Sequence, residues 1–306
     1  MEYVLRTFGL SKYFKYHQVL KDVDINIQRG DIYGFVGENG SGKTTVIRLI
    51  TGLISASSGT FELFGVPSNS VEILNARKKI GAIVETPSIY LNQSARENLK
   101  MQSGILGIDN EEKCKKALDD VGLGELWSSP KKAGNFSLGM RQRLGLAMAL
   151  LGDPEFIILD EPMNGLDPAG IVEIRELILR LNREKNITFM ISSHILTELA
   201  LVATKYGIIS KGKLIKEIAA DELKRECKRN TVIETDDVER LRQVLTGIVD
   251  ETALSPVPNG FKIYGEISLN DVLGKVIQAG VNVTSVNCAE TSIEDYYLSV
   301  IGGSHA

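Results

Sequence analysis

The chain has 306 residues, of which 43% are apolar and 24% are charged, and these proportions are typical of a globular protein with one large domain or two ordinary ones. The formal net charge of −4 argues against electrostatic binding of nucleic acid, so we expect no nucleic-acid partner. No stretch approaches the roughly 20 apolar residues of a membrane-spanning helix, and the N-terminus lacks the basic and apolar regions of a signal peptide. The cysteines are few and scattered and indicate neither a disulfide framework nor a metal site. We therefore expect a cytoplasmic protein.

The N-terminal region is predicted to be rich in strands and contains a glycine-rich loop. Apolar and polar residues alternate over residues 23–28, which predicts a half-buried strand. A second strand is predicted at residues 31–36 and a helix at residues 45–50. Between them, residues 37–45 match the G-x-x-x-x-G-K-[ST] pattern of a P-loop.

Backbone N–H groups of such a loop converge on phosphate oxygens at a helix N-terminus. In this pattern Lys43 reaches the β and γ phosphates, and the hydroxyl of Thr44 ligates Mg²⁺. The predicted nucleotide-binding residues of the loop are Gly37, Asn39, Gly40, Ser41, Gly42, Lys43, Thr44 and Thr45. A kinase or a GTPase would carry the same loop, so other motifs have to identify the class of P-loop protein.

The middle of the chain is predicted to be helical and more polar than its flanks, over residues 91–140. Ser94 and Glu97 form a capping-box pattern that opens a helix, and residues 113–121 predict a second helix. Helices and buried strands then alternate, at residues 142–151, 156–159, 172–183 and 189–192. An α/β core with a helical insertion is the simplest architecture that fits this order.

Two acids, Asp160 and Glu161, directly follow the apolar strand at residues 156–159. In P-loop ATPases the first acid of such a pair holds Mg²⁺, and the second can polarise the attacking water. Apolar runs that end in acids are common, so this pattern gains its weight from the P-loop that precedes it. We predict that Asp160 is a metal ligand and that Glu161 is the general base.

The segment after residue 218 carries no such motif and is predicted to be a separate small α/β domain at residues 219–301. Its signals follow the order β-α-β-β-α-β, which is the ferredoxin-like order. The predicted elements lie at residues 231–235, 238–245, 248–254, 261–267, 269–279 and 281–287, with a turn at residues 256–260. Residues 302–306 are predicted to form a disordered tail.

A third motif, Phe136-Ser137-Leu138-Gly139-Met140, lies between the P-loop and the two acids. With these motifs the chain resembles the nucleotide-binding subunits of ATP-binding cassette (ABC) transporters, which carry a Leu-Ser-Gly-Gly-Gln signature in that place. Here the serine and the second glycine are kept, as Ser137 and Gly139, and the other three positions differ. Taken alone, Ser137 also fits an ordinary helix N-cap.

The resemblance covers residues 1–218 and implies a fold. It implies an α/β P-loop NTPase cassette with a RecA-like core, an antiparallel β subdomain and an α-helical subdomain at residues 91–140. The C-terminal α/β domain is an addition to that plan.

The resemblance also implies a shared nucleotide site. ATP would lie between two cassettes, in a homodimer or a heterodimer, and Ser137 and Gly139 of one would bind the γ-phosphate held by the other. Asp167 matches the family's D-loop. His194 matches the switch histidine that contacts the γ-phosphate.

The family stacks an aromatic ring on adenine near the N-terminus. An alignment on Val19 and Leu20 places Phe14 at that position. Tyr13 and Tyr16 remain alternatives, and so does a role for these rings in core packing.

One departure from the family is informative, because Glu85, followed by Thr86 and Pro87, stands where glutamine is usual. A glutamate would offer a charged ligand to Mg²⁺, so we predict Glu85 near the metal. The Glu-Thr-Pro loop, the Ser-Leu-Gly-Met signature and the C-terminal extension resemble the bacitracin-resistance and lantibiotic-immunity branch of the family.

The resemblance therefore implies an ATP-hydrolysing, Mg²⁺-dependent subunit that energises a separate integral membrane permease and lies against the inner face of the cell membrane through it. Export of an antimicrobial peptide, or immunity to one, is the expected role. Alternatives are an exporter ATPase for another cargo, a soluble ABC ATPase that acts on DNA or ribosomes, and a soluble regulatory ABC ATPase that is not tied to transport.

Overall fold

The structure is a computed structural model that describes residues 2–227, 229–250, 253–264, 267–290 and 293–302. By its internal contacts the chain divides into two compact units, Met1–Ala220 and Asp221–Ala306. Within the described residues, no helix combines the length and the apolar character needed to cross a bilayer.

The elements are numbered in chain order. The strands are β1 (Tyr3–Phe14), β2 (His17–Val23), β3 (Asn26–Gln28), β4 (Ile32–Val36), β5 (Ser58–Leu63), β6 (Val66–Pro67), β7 (Ile80–Ile83), β8 (Phe156–Asp160), β9 (Thr188–Ser193), β10 (Lys205–Ser210), β11 (Lys213–Ala219), β12 (Arg229–Thr235), β13 (Leu254–Val257), β14 (Gly260–Tyr264) and β15 (Val283–Glu290). The helices are α1 (Lys43–Thr51), α2 (Ile73–Arg77), α3 (Ala95–Ile105), α4 (Glu111–Asp120), α5 (Leu138–Leu150), α6 (Pro168–Lys185), α7 (Leu196–Leu199), α8 (Ala220–Glu226), α9 (Val238–Thr246), α10 (Leu269–Gln278) and α11 (Ile293–Gly302). Short 3₁₀ turns lie at Gly124–Trp127 and Ala133–Asn135.

The first unit is built on a six-stranded sheet in the order β11-β10-β4-β9-β8-β7. The pairs from β7 to β10 are parallel, and β11 is antiparallel at the edge. Every residue of β4, β8 and β9 is buried, as expected for parallel strands that are covered on both faces. The continuous apolar runs predicted at β4, β8 and β9 follow from this double coverage.

A second, antiparallel sheet of the first unit has the order β2-β1-β5-β6, and β3 also pairs with β1. The strand predicted at residues 23–28 is not continuous, because β2 ends at Val23 and β3 begins at Asn26. Val23, Ile25 and Ile27 are nevertheless all buried. The alternation therefore predicted burial correctly and the strand boundaries incorrectly.

The helical insertion consists of α3 and α4, with α5 following. The predicted capping box at the start of α3 is confirmed, because Ser94 Oγ accepts from the Glu97 N–H and Glu97 Oε2 accepts from the Ser94 N–H at 2.6 Å. The helix predicted at residues 142–151 begins earlier, at Leu138, because Ser137 caps it by accepting from the Met140 N–H.

The second unit has an antiparallel sheet in the order β13-β14-β12-β15. With α9 and α10 it has the predicted β-α-β-β-α-β order, and its strand arrangement is that of the ferredoxin-like plan. Its core combines side chains from the sheet and both helices: Ile233, Leu241, Leu245, Phe261, Ile263, Val272, Val276 and Val281.

Two predictions in the second unit are wrong. The strand predicted at residues 248–254 starts only at Leu254, and Pro256, predicted in a turn, belongs to β13. β13 is an edge strand, where a proline leaves no ladder hydrogen bond unmade. The predicted tail at residues 302–306 lies outside the described residues except for Gly302, which ends α11.

Candidate functional site

Four loops that carry predicted site residues leave the same edge of the central sheet. β4 runs into the loop before α1, β8 ends at Asp160, β9 ends at Ser193, and β7 is followed shortly by Glu85. Parallel neighbouring strands place their carboxyl ends at one edge, which is where open α/β sheets bind ligands. The sheet order therefore brings together residues that are far apart in the sequence.

The loop between β4 and α1 has the backbone that its glycines permit. Gly40 and Gly42 have φ values of +80° and +112°, a region that other residues adopt only at a cost. Gly37 is required for space, since a Cβ there would lie 2.4 Å from the carbonyl oxygen of Ile209. Gly42 is the N-cap of α1, so the amide groups of the loop gather at a helix N-terminus, as anion binding requires.

Lys43 is 5% exposed, and its ammonium group is held by the loop itself. Nζ donates to the carbonyl oxygens of Gly37 at 2.6 Å and Glu38 at 3.2 Å, and it lies 3.4 Å from Glu161 Oε1. A buried cation is tolerated only with such partners. The arrangement fixes a positive charge inside the glycine loop.

The hydroxyl of Thr44 donates to Asp160 Oδ2 at 2.8 Å, and Ser192 Oγ donates to Asp160 Oδ1 at 2.5 Å. Asp160 is 2% exposed, so both of its oxygens are fixed by hydroxyl groups. Hydroxyl and carboxylate oxygens are the donors that Mg²⁺ prefers. Thr44 and Asp160, both predicted as metal ligands, thus lie side by side and suit a divalent cation.

Glu161 follows Asp160 with a left-handed backbone, φ +51°, and its N–H donates to Ser192 Oγ at 3.0 Å. His194 Nδ1 lies 2.8 Å from Glu161 Oε2, and it is the donor because a carboxylate only accepts. A carboxylate oriented by a histidine and set next to Lys43 has the geometry expected of a general base.

The hydroxyl of Ser41 and the exposure of its neighbours in the loop also fit a phosphate ligand. Ser41 is 4% exposed, and its Oγ has no hydrogen-bond partner among the described residues. A buried hydroxyl without a partner is costly, and a phosphate oxygen in the loop would satisfy it. Asn39 and Gly40 are exposed and Thr45 is half-buried, which leaves the mouth of the loop open.

The other predicted nucleotide contacts are not joined to this cluster. Among the described residues, no hydrogen bond or ion pair links Ser137, Gly139 or Asp167 to Lys43. Ser137 caps α5 and Asp167 caps α6, the latter by accepting from the Gly170 N–H at 3.1 Å. Their roles in binding a second cassette's ATP stay predictions.

Phe14 lies at the end of β1, is 46% exposed, and has the Lys12 ammonium 5.0 Å from its ring centre. The next strand, β2, contacts the phosphate loop, because a Cβ on Gly42 would lie 2.6 Å from Leu20 Cδ2. Tyr13 and Tyr16 are also exposed, so core packing does not explain the three rings. Which of them stacks on adenine stays a prediction.

In the part of the chain that the structure describes, no hydrogen bond or ion pair joins Glu85 to Thr44 or Asp160. The Glu85 carboxylate lies 2.5 Å from Arg48 Nη2, and the Glu85 backbone is left-handed with φ +62°. Sequence reasoning missed Arg48, although it stands four residues after Thr44 on α1 and so shares its face. It also missed Ser192, whose place at the end of β9 beside Asp160 was the available signal.

A family model described as "ABC transporter" matches residues 20–164, and an AAA-domain model matches residues 130–200. The bacitracin transport ATP-binding protein BcrA of Bacillus licheniformis is 41% identical over 307 residues, which cover 99% of this chain and 99% of that protein.

The chain belongs to the ABC transporter family. It is an ATP-binding subunit of such a transporter. The chain is also similar to the lantibiotic transport ATP-binding protein SrtF of Streptococcus pyogenes, with 40% identity over 232 residues that cover 75% of this chain and 98% of that protein. The family prediction made from the P-loop, the acids and the signature is confirmed.

Solved ABC cassettes share the fold. CbiO1 from Clostridium perfringens superposes with a TM-score of 0.67 at 26% identity, covering 81% of this chain and 96% of that one. The ADP conformation of the cassette MJ1267 gives a TM-score of 0.66 at 28% identity, covering 74% and 94%. The dimeric MJ0796 cassette bound to ADP and Pi gives 0.63 at 22% identity, covering 71% and 98%, and that likeness concerns the fold alone. The predicted fold class is confirmed.

Proposed function

We propose that this ATP-binding subunit hydrolyses ATP and thereby drives a separate membrane permease that removes a bacitracin- or lantibiotic-like peptide from the cell envelope. The similarity to a bacitracin transport ATP-binding protein over 99% of both chains carries the choice of cargo. The hydrolytic part rests on the geometry around Glu161, and each further step has its own support.

In the hydrolytic step Glu161 accepts the proton of the attacking water. Its carboxylate is oriented by His194 at 2.8 Å, and a positioned base of this kind contributes about 10²–10⁴-fold to a rate. Lys43 leaves its carbonyl partners for the β and γ phosphates, and the Ser41 hydroxyl gains the partner that it lacks in the loop.

Thr44 and Asp160 would hold Mg²⁺. When bound, Mg²⁺ would neutralise charge on the phosphate oxygens and so favour transfer of the γ-phosphoryl group to water, with ADP as the leaving group. Asp160 is oriented for this task because Thr44 and Ser192 both donate to it.

Two cassettes close around ATP, so that Ser137, Gly139 and Asp167 of one act on the ATP of the other. Three facts support this. Gly139 has room around it, since a Cβ there would meet one atom, Leu166 Cδ2 at 3.8 Å. Ser137 and Asp167 are both exposed. A Cβ on Gly165, in the D-loop, would lie 3.3 Å from Leu138 Cδ2, in the signature, so the two motifs form one surface.

The permease contacts the helical subdomain at the inner face of the membrane. A groove of about 350 Å³ is lined by Pro87, Gln102 and Leu106, among other residues, and Leu106, which follows the last residue of α3, is 45% exposed. Exposed apolar side chains that line one groove suit an apolar helix of a partner. Because Pro87 follows Glu85 in the same loop, a helix seated there would act on the site through that loop.

The test has two arms. Deletion of the gene together with its permease should lower the inhibitory concentrations of bacitracin or lantibiotics in a panel of antibiotics, whereas unchanged values in cells that express the operon would remove the peptide cargo. For the permease, Leu106→Asp should abolish co-purification of the membrane partner, because Leu106 lines the groove. Leu201→Asp is the matched control, because Leu201 is 64% exposed outside the groove.

A further inference from the structure

Arg48 and Glu85 form an ion pair across two segments of the nucleotide site. Arg48 lies in the last turn of α1, the helix that begins at Lys43, and Glu85 lies just after β7. Arg48 Nη2 is 2.5 Å from Glu85 Oε1. The pair therefore ties the helix of the phosphate loop to the loop that precedes the permease groove.

The pair lies next to the proposed metal ligands without reaching them. Arg48 follows Thr44 by four residues, so the two side chains project from one face of α1 about one helical turn, roughly 5.4 Å, apart. The ion pair holds the Glu85 carboxylate beside Arg48 and not beside Thr44. Its left-handed φ of +62° is strained for a non-glycine residue and needs surrounding contacts to persist.

The charge of the Glu85 carboxylate matters because the nucleotide site already has two carboxylates. Glu161 faces the buried cation Lys43, and Asp160 accepts a hydrogen bond from the adjacent Thr44. A third carboxylate on Glu85 would repel a triphosphate and attract a divalent cation. In the ion pair the Arg48 guanidinium offsets that charge.

We propose that Arg48 is a positioning residue that keeps the Glu85 carboxylate neutralised and one helical turn away from the Thr44–Asp160 pair, so that Glu85 reaches the cation only when the ion pair opens. The proposal rests on the proposed function, because it concerns the response of the same site to ATP and Mg²⁺. It explains how a glutamate is accommodated where the family usually has a neutral glutamine.

The test is a double-mutant cycle on the full chain with Arg48→Met, Glu85→Gln and the double variant. Fluorescence titration with a trinitrophenyl-ATP probe measures ATP affinity in EDTA and then the Mg²⁺ concentration for half-maximal effect. Arg48→Met frees a carboxylate, so ATP binding without metal should weaken about three- to tenfold and the half-maximal Mg²⁺ concentration should fall by a similar factor. Glu85→Gln alone should raise that Mg²⁺ concentration.

The double variant should reverse both effects of Arg48→Met, and Arg48→Lys should remain within about twofold of wild type because it keeps the charge. Arg96→Met is the control. Arg96 pairs with Glu111 on the helical insertion, and these side chains are 45% and 49% exposed, against 41% and 59% for Arg48 and Glu85. The control should leave both titrations unchanged.

If Arg48 had a purely structural role, Arg48→Met would not weaken ATP binding in EDTA and at the same time lower the half-maximal Mg²⁺ concentration. Nor would Glu85→Gln reverse the effects of Arg48→Met. Either of these results overturns the proposal. If Arg48→Met fails to fold, Arg48→Gln takes its place in the cycle. Wild-type protein that binds no ATP, or Lys43→Ala protein that binds it normally, would instead refute the proposed function.

Discussion

The two units of this chain differ in what they bury. In the cassette, Lys43 and Asp160 are 5% and 2% exposed. In the described part of the C-terminal unit, the buried polar residues are Thr231 and Thr235, which carry no charge. Burial of an ion needs dedicated partners and is costly without them. Within the described residues, the contrast places the buried ions in the cassette, where the nucleotide-binding motifs lie.

The relatives differ in how much of this chain they match. The SrtF protein is matched over 98% of its length by 75% of this chain, whereas the B. licheniformis BcrA protein is matched over 99% of both. A quarter of this chain thus has no counterpart in one relative. Such a pattern is expected if the cassette is complete without the C-terminal unit.

The largest effect is expected at the buried cation of the cassette. Lys43→Ala should abolish ATP turnover and weaken ATP binding at least about 100-fold, because the phosphates lose their main positive partner. The protein should stay folded by circular dichroism, since the loop keeps the hydrogen bond from the Ser41 N–H to the Glu38 carbonyl oxygen and the one from Thr44 to Asp160. Normal ATPase activity in a folded variant would contradict the P-loop assignment.

Glu161→Gln should keep ATP binding but slow hydrolysis about 10²–10⁴-fold, since an amide cannot accept the proton. With closure no longer followed by hydrolysis, an ATP-bound dimer should accumulate in sedimentation velocity with Mg-ATP. A monomeric variant with normal turnover would show that another residue is the base.

A smaller effect is expected where the two sheets of the cassette meet. The Tyr33 hydroxyl on β4 donates to Glu217 Oε1 at 2.9 Å, and Asn26 on β3 donates to the same carboxylate. Burial, and next the charge of Glu217, raises the pKa of Tyr33 well above its usual value, so the phenol stays protonated. Glu217→Ala leaves a buried hydroxyl without its acceptor and should destabilise the cassette by about 1–3 kcal/mol. Urea unfolding measures this. Glu222→Ala, an exposed acid on α8, is the control and should change nothing.

The smallest effect is expected from removal of the C-terminal unit, which separates the two units directly. A chain that ends after Cys227 keeps the cassette and α8 and should bind ATP within about threefold of the full chain, because the cassette has its own core. Isothermal titration with both proteins measures the two affinities. A loss of binding in a folded truncated protein would show that the C-terminal unit supports the nucleotide site.

The parts of the site that could be predicted from the sequence are those written in consecutive residues. The P-loop and the Asp160-Glu161 pair each combine chemistry and local structure in a short segment, so their geometry follows from the motif. The Arg48–Glu85 pair could not be predicted in this way. It depends on which loop the fold brings against α1, and that is a property of the sheet order.

The C-terminal unit shows the corresponding limit for the fold. Its order of elements was predictable, because helix and strand periodicities differ. The strand predicted at residues 248–254 was wrong since Ile248 and Val249 pack against the core from outside a strand. Apolar residues predict which positions are buried. They do not predict where a strand begins and ends, because a strand is defined by hydrogen bonds to a neighbouring strand.

The sheet order also constrains how the nascent chain matures. β4, which carries the phosphate loop, pairs with β9 and β10, and both are synthesised more than a hundred residues later. Until Ser193 has left the ribosome, the apolar strand β4 has neither of these partners, and the second is complete only at Ser210. Such high contact order slows folding and exposes strand edges to aggregation. ATP can therefore act as a ligand that stabilises this protein only at the end of synthesis of the cassette, and chaperones have their longest opportunity to bind it before then.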